Sequence, residues 1–502
     1  MPRNAKNSNS VVSARAIAWL VVLLVFCGLL AGSGQEPAKA ARPLSTGVTV
    51  TDTATPFQLG FDRIRSAGAG MVRVLIYWRQ VAPTKEPDSW NPADPADSHY
   101  NWSYFDQQVQ MARNAGLQPM IELFSAPDWA ERGKASNANA YPGIYDPDPT
   151  DFSRFALAAA KRYSGNFGGL PRVRYWQAWN EPNLSISFQP QFKHGKPASP
   201  ILYRQLLNRF AGAVQSVNPS NKVIGGGLAP NGVPGSVAPM TFARQLLCMT
   251  GRSHPKAKRG CSGRGRFDIW GTNPFTTGGP THKSYSADSV GLRELPNLRR
   301  LIGAANRAGK VVSRQGSIPL WVTEFSWDSK PSDPGGVPMR ILTRWTSEAM
   351  YRAWQAGVSR FFWLTLRDWP RPDGVPWNQT IDSGLYFRGS TIEKDRPKQN
   401  LQAFRFPFVA FPGRKGITIW GRTSSSTGGK VTIDYKQGKK WKRIGKVRAG
   451  GNGVFSSVVR SGFARRLAKR KRGMIRAVYR GESSRAFSLR PQRDFRQPPF
   501  GK

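Results

Sequence analysis

Histidine and cysteine are the scarcest chemistry-bearing residues in this chain, four and three in 502. His99, His194, His254 and His282 stand in separate polar loops at no metal-ligand spacing, and one histidine beside two cysteines does not complete a zinc site, so no metal and no cofactor is expected. Cys27 lies within an apolar run and lacks the preceding small residues of a lipoprotein leader. Cys248 and Cys261 remain, thirteen residues apart in a loop rich in glycine and basic residues, and the expectation for them is a disulfide that staples the loop. A glycine-rich phosphate turn after the first strand is also missing, which leaves an open, doubly wound sheet without its main support.

Acidic side chains are outnumbered, 30 against 74 basic, for a formal net charge of +44. Residues 411–502 hold 25 Lys and Arg against 3 Asp and Glu, so half of the excess sits in the final segment. Such a charge seeks an anionic neighbour, and nucleic acid is the first candidate on charge alone. Residues 1–40, however, read as an export signal peptide. Arg3, Lys6 and Arg15 precede an apolar run at 16–31, and Ala38-Lys39-Ala40 fits a small-residue cleavage site. The run is short for a spanning helix, with an uncleaved membrane anchor as the alternative. A secreted or cell-surface chain argues against nucleic acid and for an anionic cell-wall polymer, an acidic polysaccharide or a membrane surface. A merely solvated basic surface is the other reading.

Beyond the leader the apolar pattern alternates between two periods. Strand-like runs occupy 47–51, 71–78, 119–124, a stretch from 173 that ends on Asn180 and Glu181, 222–226, 267–275, a stretch from 319 that leads into Glu324, and 358–366. Helical periods occupy 57–69, 104–115, 150–163, 202–217, 240–250, 292–308 and 339–356. Strand and helix alternating in this way predict a closed (β/α)8 or TIM barrel over residues 45–410. From 411 the texture changes to short alternating segments at 416–420, 430–435, 441–447, 454–459, 474–479 and 485–489, which predict a basic antiparallel β-sandwich over 411–490. Residues 491–502 read as a disordered tail.

In a closed barrel all strand ends share one mouth. Glu181, in the motif WNEP, ends strand four, and Glu324, in VTEF, ends strand seven; Arg73, Trp78, Asn273 and Trp363 are expected at the same mouth. Two carboxyl groups about 5–5.5 Å apart, one protonated and one charged, are what glycosidic cleavage with retention requires. A partly apolar surround from Trp176 and Trp179 and mutual repulsion raise the pKa of one carboxyl, while a nearby arginine keeps the other charged.

These motifs resemble the retaining (β/α)8 glycoside hydrolases of the clan that contains cellulases, β-mannanases and β-xylosidases. The likeness covers about residues 45–405 in layout and is carried by the short motifs. It implies that Glu181 is the acid/base, that Glu324 is the nucleophile and that Asn180 hydrogen-bonds the sugar 2-hydroxyl. It also implies that Arg73 orients and ionises the nucleophile and that Trp363 is the platform under the reacting sugar. At the end of strand six the family often carries a tyrosine or histidine near the nucleophile, whereas this chain reads Asn273-Pro274-Phe275. Either Asn273 takes over that place or the subsite is built differently, a departure that bears on the substrate more than on the reaction. Trp78 is a further candidate for sugar contact. The implied function is an exported O-glycosyl hydrolase acting on a polysaccharide or oligosaccharide. Its C-terminal module would hold it to an acidic surface. The competing reading is a non-catalytic carbohydrate- or cell-wall-binding protein on the same scaffold.

Overall fold

The computed structural model describes residues 41–50, 57–134, 140–232, 234–377 and 380–492; the leader with Cys27 and the last ten residues lie outside the described residues. Eight strands form the centre: β1 (Ser45–Val50), β2 (Met71–Tyr77), β3 (Gln118–Phe124), β4 (Tyr175–Ala178), β5 (Lys222–Leu228), β6 (Ile269–Thr272), β7 (Leu320–Val322) and β8 (Val358–Leu364). They run parallel in chain order, and β1 pairs with β8, which closes the barrel and excludes the open sheet.

Each strand is followed by one main helix: α1 (Gln58–Ser66), α2 (Ser103–Asn114), α3 (Pro149–Arg162), α4 (Ser199–Val217), α5 (Pro239–Leu246), α6 (Leu295–Arg307), α7 (Met339–Gln355) and α8 (Gln399–Arg405). The local reasons are visible in α3. Asp148 accepts hydrogen bonds from the amides of Thr150 and Asp151, Pro149 opens the first turn, and Phe152, Phe155, Ala156 and Ala159 form the buried stripe. Two helices are shorter than their periodicity suggests. α5 stops at Leu246, just before Cys248 turns into the left-handed region (φ 52°) to meet Cys261 in a disulfide. The 292–308 segment opens as a 3-10 turn, Leu292–Glu294, before α6.

The lower barrel is filled by one side chain from each of seven strands: Met71, Met120, Tyr175, Ile224, Ile269, Trp321 and Phe362. The eighth strand contributes Gly47, and a Cβ there would come within 2.4 Å of the Phe362 ring. Large rings on β4, β7 and β8 therefore close-pack only because β1 offers nothing at that level. The next inward level along the strands carries Arg73, Glu122 and Gln177, so the barrel turns from apolar to charged within two residues.

The C-terminal part holds two antiparallel sheets. One is β9 (Phe408–Gly413), β10 (Gly416–Arg422) and β13 (Val454–Val459); the other is β11 (Gly429–Gln437) between β12 (Lys440–Ala449) and β14 (Met474–Tyr479), extended by short pairings at Glu482–Ser483 and Phe487–Ser488. Phe411-Pro412-Gly413, where the sequence texture changes, lies within β9, whose Phe408 and Val409 are buried. The cationic run at 462–470, without strand alternation, is a helix, α9 (Gly462–Arg470), capped by the Ser461 side chain and resting on Ala464, Leu467 and Ala468. Trp420 of β10 packs against Tyr351 and Trp354 of α7, and the Arg344 guanidinium sits 4.0 Å from the Phe487 ring centroid. Residues 42–502 thus form one compact unit.

The fit between β1 and Phe362 sets a test. Gly47→Ala overpacks the barrel floor and should lower unfolding stability by about 1–3 kcal/mol in a denaturant titration.

Candidate active site

The strand that carries WNEP ends abruptly. After Ala178 the chain enters the left-handed region twice, at Trp179 (φ 65°) and Glu181 (φ 44°). Both are pinned: the Trp179 amide donates to Leu123 O at 2.9 Å, its indole donates to Ser187 O at 2.7 Å, and the Glu181 amide donates to Gly227 O at 3.1 Å. Gly227 is the extra residue of a bulge in β5, because Gly226 pairs with Gly271 while Leu228 pairs with Thr272. Its φ is +61°, and a Cβ there would approach Gln177 Nε2 to 2.6 Å, so only glycine lets β5 receive the Glu181 backbone. Strain of this kind persists where surrounding contacts hold it and is common at active sites.

Arg73 is the hub. Its guanidinium, with no exposed surface, donates from Nε (3.2 Å) and Nη2 (2.5 Å) to Glu122 Oε2, from Nη1 to Glu324 Oε1, and from Nη2 to Asn180 Oδ1 at 3.1 Å. Gln177 Nε2 also donates to Glu122 Oε2. One arginine thereby ties β2 to β3, to the end of β7 and to the turn after β4. Burial works against the charge on Arg73, but Glu122 and Glu324 outweigh it and hold the group above its ordinary pKa. Burial lifts Glu122 to about 7 against the pull of Arg73, with repulsion from Glu324 adding to the rise.

Glu181 lives in a different environment. Burial and then the charge of Glu324 raise it to about 8, opposed by a hydrogen bond from Asn273 and the more distant Arg73. Asn273 Nδ2 donates to Glu181 Oε1 at 3.0 Å, and its own Oδ1 accepts from Thr323 Oγ1 at 2.7 Å. Of the two alternatives for this position, the Asn273 amide follows the second: it bonds Glu181 and not the strand-seven glutamate. Thr323, the residue before Glu324, fixes the amide so that its nitrogen faces the partner glutamate. Phe275 stacks on Phe325, centroids 5.9 Å apart.

Both tryptophan assignments are corrected. Trp363 is fully buried, donates its indole N–H to Ser383 O at 2.8 Å and packs on Phe404, while Phe362 takes the inward position. A one-residue difference in parity moves a side chain to the opposite face of a strand. Trp78 is likewise buried, stacked 5.5 Å from Phe155 and edge-on to Trp129.

Residues absent from the sequence reading complete the mouth. Glu122 and Gln177 were legible in principle as polar residues at inward positions of apolar strands. Tyr77, lifted to about 12 by burial and the charge of Glu122, and Tyr141, raised by burial and then by Glu181 and Glu324, carry no comparable motif. Tyr141 reaches the mouth from the loop after β3, packs edge-on to Phe124 and remains half exposed. The loops after β7 and β8 are clasped by Lys398, whose buried ammonium donates to Asp368 Oδ1 (2.5 Å), Ser329 Oγ (2.8 Å) and Asp382 O (2.9 Å). Among the described residues no three histidine, cysteine or carboxylate side chains form a group able to hold a metal ion.

Replacing Arg73 by Met leaves Glu122 and Glu324 buried without their cation. A loss of about 3–5 kcal/mol is expected near pH 8. Glu122 titrates at about 7 beside Arg73 and higher once that cation is gone, so the loss should shrink as pH falls towards 7 and level off below it. Urea titrations on either side of that value measure both.

No family model matches the chain. In sequence it is similar to an Aspergillus niger protein described as "Probable glucan 1,3-beta-glucosidase A", 26% identical over 397 residues that span 74% of this chain and 82% of that one. A second likeness, to "Probable inactive beta-glucosidase 14" of Oryza sativa subsp. japonica, is 27% identical over 147 residues, 29% of this chain and 25% of the other. Among solved structures, a family 39 glycoside hydrolase from the gut symbiont Bacteroides cellulosilyticus WH2 superposes with a TM-score of 0.51 at 16% identity, covering 83% of this chain and 81% of that one. What the structural likeness establishes is architecture: the chain carries the closed (β/α)8 barrel found in that glycoside hydrolase.

Proposed function

We propose that this chain is a retaining O-glycosyl hydrolase of a polysaccharide or oligosaccharide, with Glu324 as nucleophile and Glu181 as acid/base. The observation that carries the reading is the unequal surroundings of the two carboxyl groups. Glu324 is ion-paired with Arg73, as suits a group that must attack as a carboxylate, whereas burial and the charge of Glu324 keep Glu181 protonated up to about pH 8.

In the first step a Glu324 oxygen attacks the anomeric carbon while the departing glycosidic oxygen takes the proton of Glu181, leaving a glycosyl ester on Glu324. In the second, Glu181, now a carboxylate, takes a proton from water as the water oxygen attacks the anomeric carbon and frees Glu324. Forming the ester removes the negative charge beside Glu181, which lowers its pKa just when it must act as base. Asn273 holds the Glu181 carboxyl in place throughout. Arg73 occupies Asn180 Oδ1, which leaves the Asn180 amide nitrogen to donate to a sugar hydroxyl, and half-exposed Tyr141 offers a ring for sugar contact.

Export is part of the proposal. The leader-like residues 1–40 and the Cys248–Cys261 disulfide both suit an oxidising exterior, where the basic C-terminal part would meet an anionic wall polymer or membrane surface. A non-catalytic glycan binder on the same scaffold would have no need of both glutamates with their positioning partners intact.

Reducing-end release across β-glucans, mannans, xylans, galactans and acidic glycans tests the assignment. Glu324→Gln should abolish release, and Glu181→Gln should lower kcat by about 10²–10⁴-fold on substrates with a poor leaving group. Unchanged turnover in Glu324→Gln would sink the mechanism. In the native chain kcat/KM should fall as pH rises through about 8, where free Glu181 loses its proton, and Glu181→Gln should lack that alkaline limb.

A further inference from the structure

The β12-β11-β14 sheet has one closed and one open face. Val431, Ile433, Ile475 and Ala477 turn inward and are fully buried. Residues directly opposite across a strand pair share a face. The register therefore sets Lys430 with Arg448, Thr432 with Lys446, and Asp434 with both Arg443 and Arg476 on the open side. With Lys436, two residues beyond Asp434, six cations thus share a face with one carboxylate, and that carboxylate is paired with Arg476 at 3.3 Å. The same guanidinium lies 4.3 Å from the ring centroid of Trp441, which stands on this face opposite Lys436.

Like charges on neighbouring strands cost stability. Here they are crowded: Lys430 and Arg443 push the Lys446 ammonium below its ordinary pKa. Edge-strand lysines guard a sheet against pairing with another chain, and β12 is an edge. That duty requires charge on the edge alone, whereas this row continues over β11 and β14. Same-face residues repeat about every 7 Å along a strand and neighbouring strands lie about 5 Å apart, so the face is a grid of closely spaced cations. A small anion neutralises one point of such a grid; a linear polyanion neutralises the row.

We propose that this open face binds an acidic polysaccharide, with the arginines taking planar uronate carboxylates in bidentate contacts and the lysines acting as point charges. The choice of a glycan over other polyanions rests on the glycosidase reading of the barrel, to which these sheets are packed through Trp420 and Phe487.

The test is the affinity of the whole chain for polygalacturonate, compared between a face variant (Arg443→Gln, Lys446→Gln, Arg448→Gln) and a control with the same charge change on α2 and α6 (Arg113→Gln, Arg300→Gln, Arg307→Gln). The face variant should bind about tenfold or more weaker and the control within about twofold, with both losing affinity as salt rises. Lys446→Gln alone, which relieves repulsion and leaves the sheet intact, should weaken binding by about two- to threefold. Equal loss in the two triple variants would overturn the site in favour of diffuse net charge. Tighter face-dependent binding of duplex DNA or of phosphatidylglycerol vesicles would overturn the choice of glycan. Reducing-end release from a neutral glycan should be the same in both triple variants. Face-dependent polygalacturonate binding by a chain that hydrolyses no glycan would support the site while removing the glycosidase reading.

Discussion

A guanidinium with no access to water constrains everything at the barrel mouth. An unpaired buried charge costs several kcal/mol, so Arg73 is tolerable only inside a shell of acceptors. Those acceptors come from β3, from the second residue after β7 and from the turn after β4, and no two of them are near in sequence. The cluster therefore forms only when the sheet closes. Closure in turn depends on the floor beneath it, where seven apolar side chains and one glycine fill the lumen and keep water from the ion pairs above. Apolar packing below and charge pairing above are two levels of one core.

The same hub divides the carboxyl groups by role. Glu122 and Glu324 share Arg73, while Glu181 is left to burial, to repulsion and to a single amide from Asn273. Chemically similar side chains thus meet unlike surroundings, a guanidinium at Glu122 and Glu324 and a neutral amide at Glu181. Positioning is equally unequal. Glu324 stands two residues beyond β7 in chain without left-handed residues, but Glu181 is delivered by two left-handed residues and a glycine bulge on the neighbouring strand. The rigid clasp of Lys398 behind the last two loops gives these groups a fixed wall.

The C-terminal sheets add a surface of another kind. Their inner faces are apolar and join α7 through Trp420, which makes them part of the same compact unit as the barrel. The outer face of the β12-β11-β14 sheet sets several cations side by side. A chain with 30 acidic residues places a few of them deep in the barrel around Arg73 and leaves one on that outer face, so the two regions differ in the sign of the charge they gather.

Alternating periods and strand-end carboxylates were enough, in the sequence alone, to specify the barrel, the positions of Glu181 and Glu324 and the arginine on β2. The disulfide followed from two cysteines in one loop. These features are local, or depend on the fold only through strand order. What the tertiary structure decided is parity and partnership. Trp363 and Trp78, expected at the sugar, pack instead on Phe404 and Phe155 of the surrounding helices, because a side chain one residue out of phase stands on the other side of its strand and Trp78 opens a helical turn. Asn273 turned out to serve Glu181 because Thr323 claims its oxygen, a choice made by a neighbour fifty residues away. Glu122 sat in plain view in an apolar strand, yet its meaning depended on Arg73 reaching it from the neighbouring strand. Side-chain identity is local, whereas burial and charge pairing exist only once distant strands share one interior.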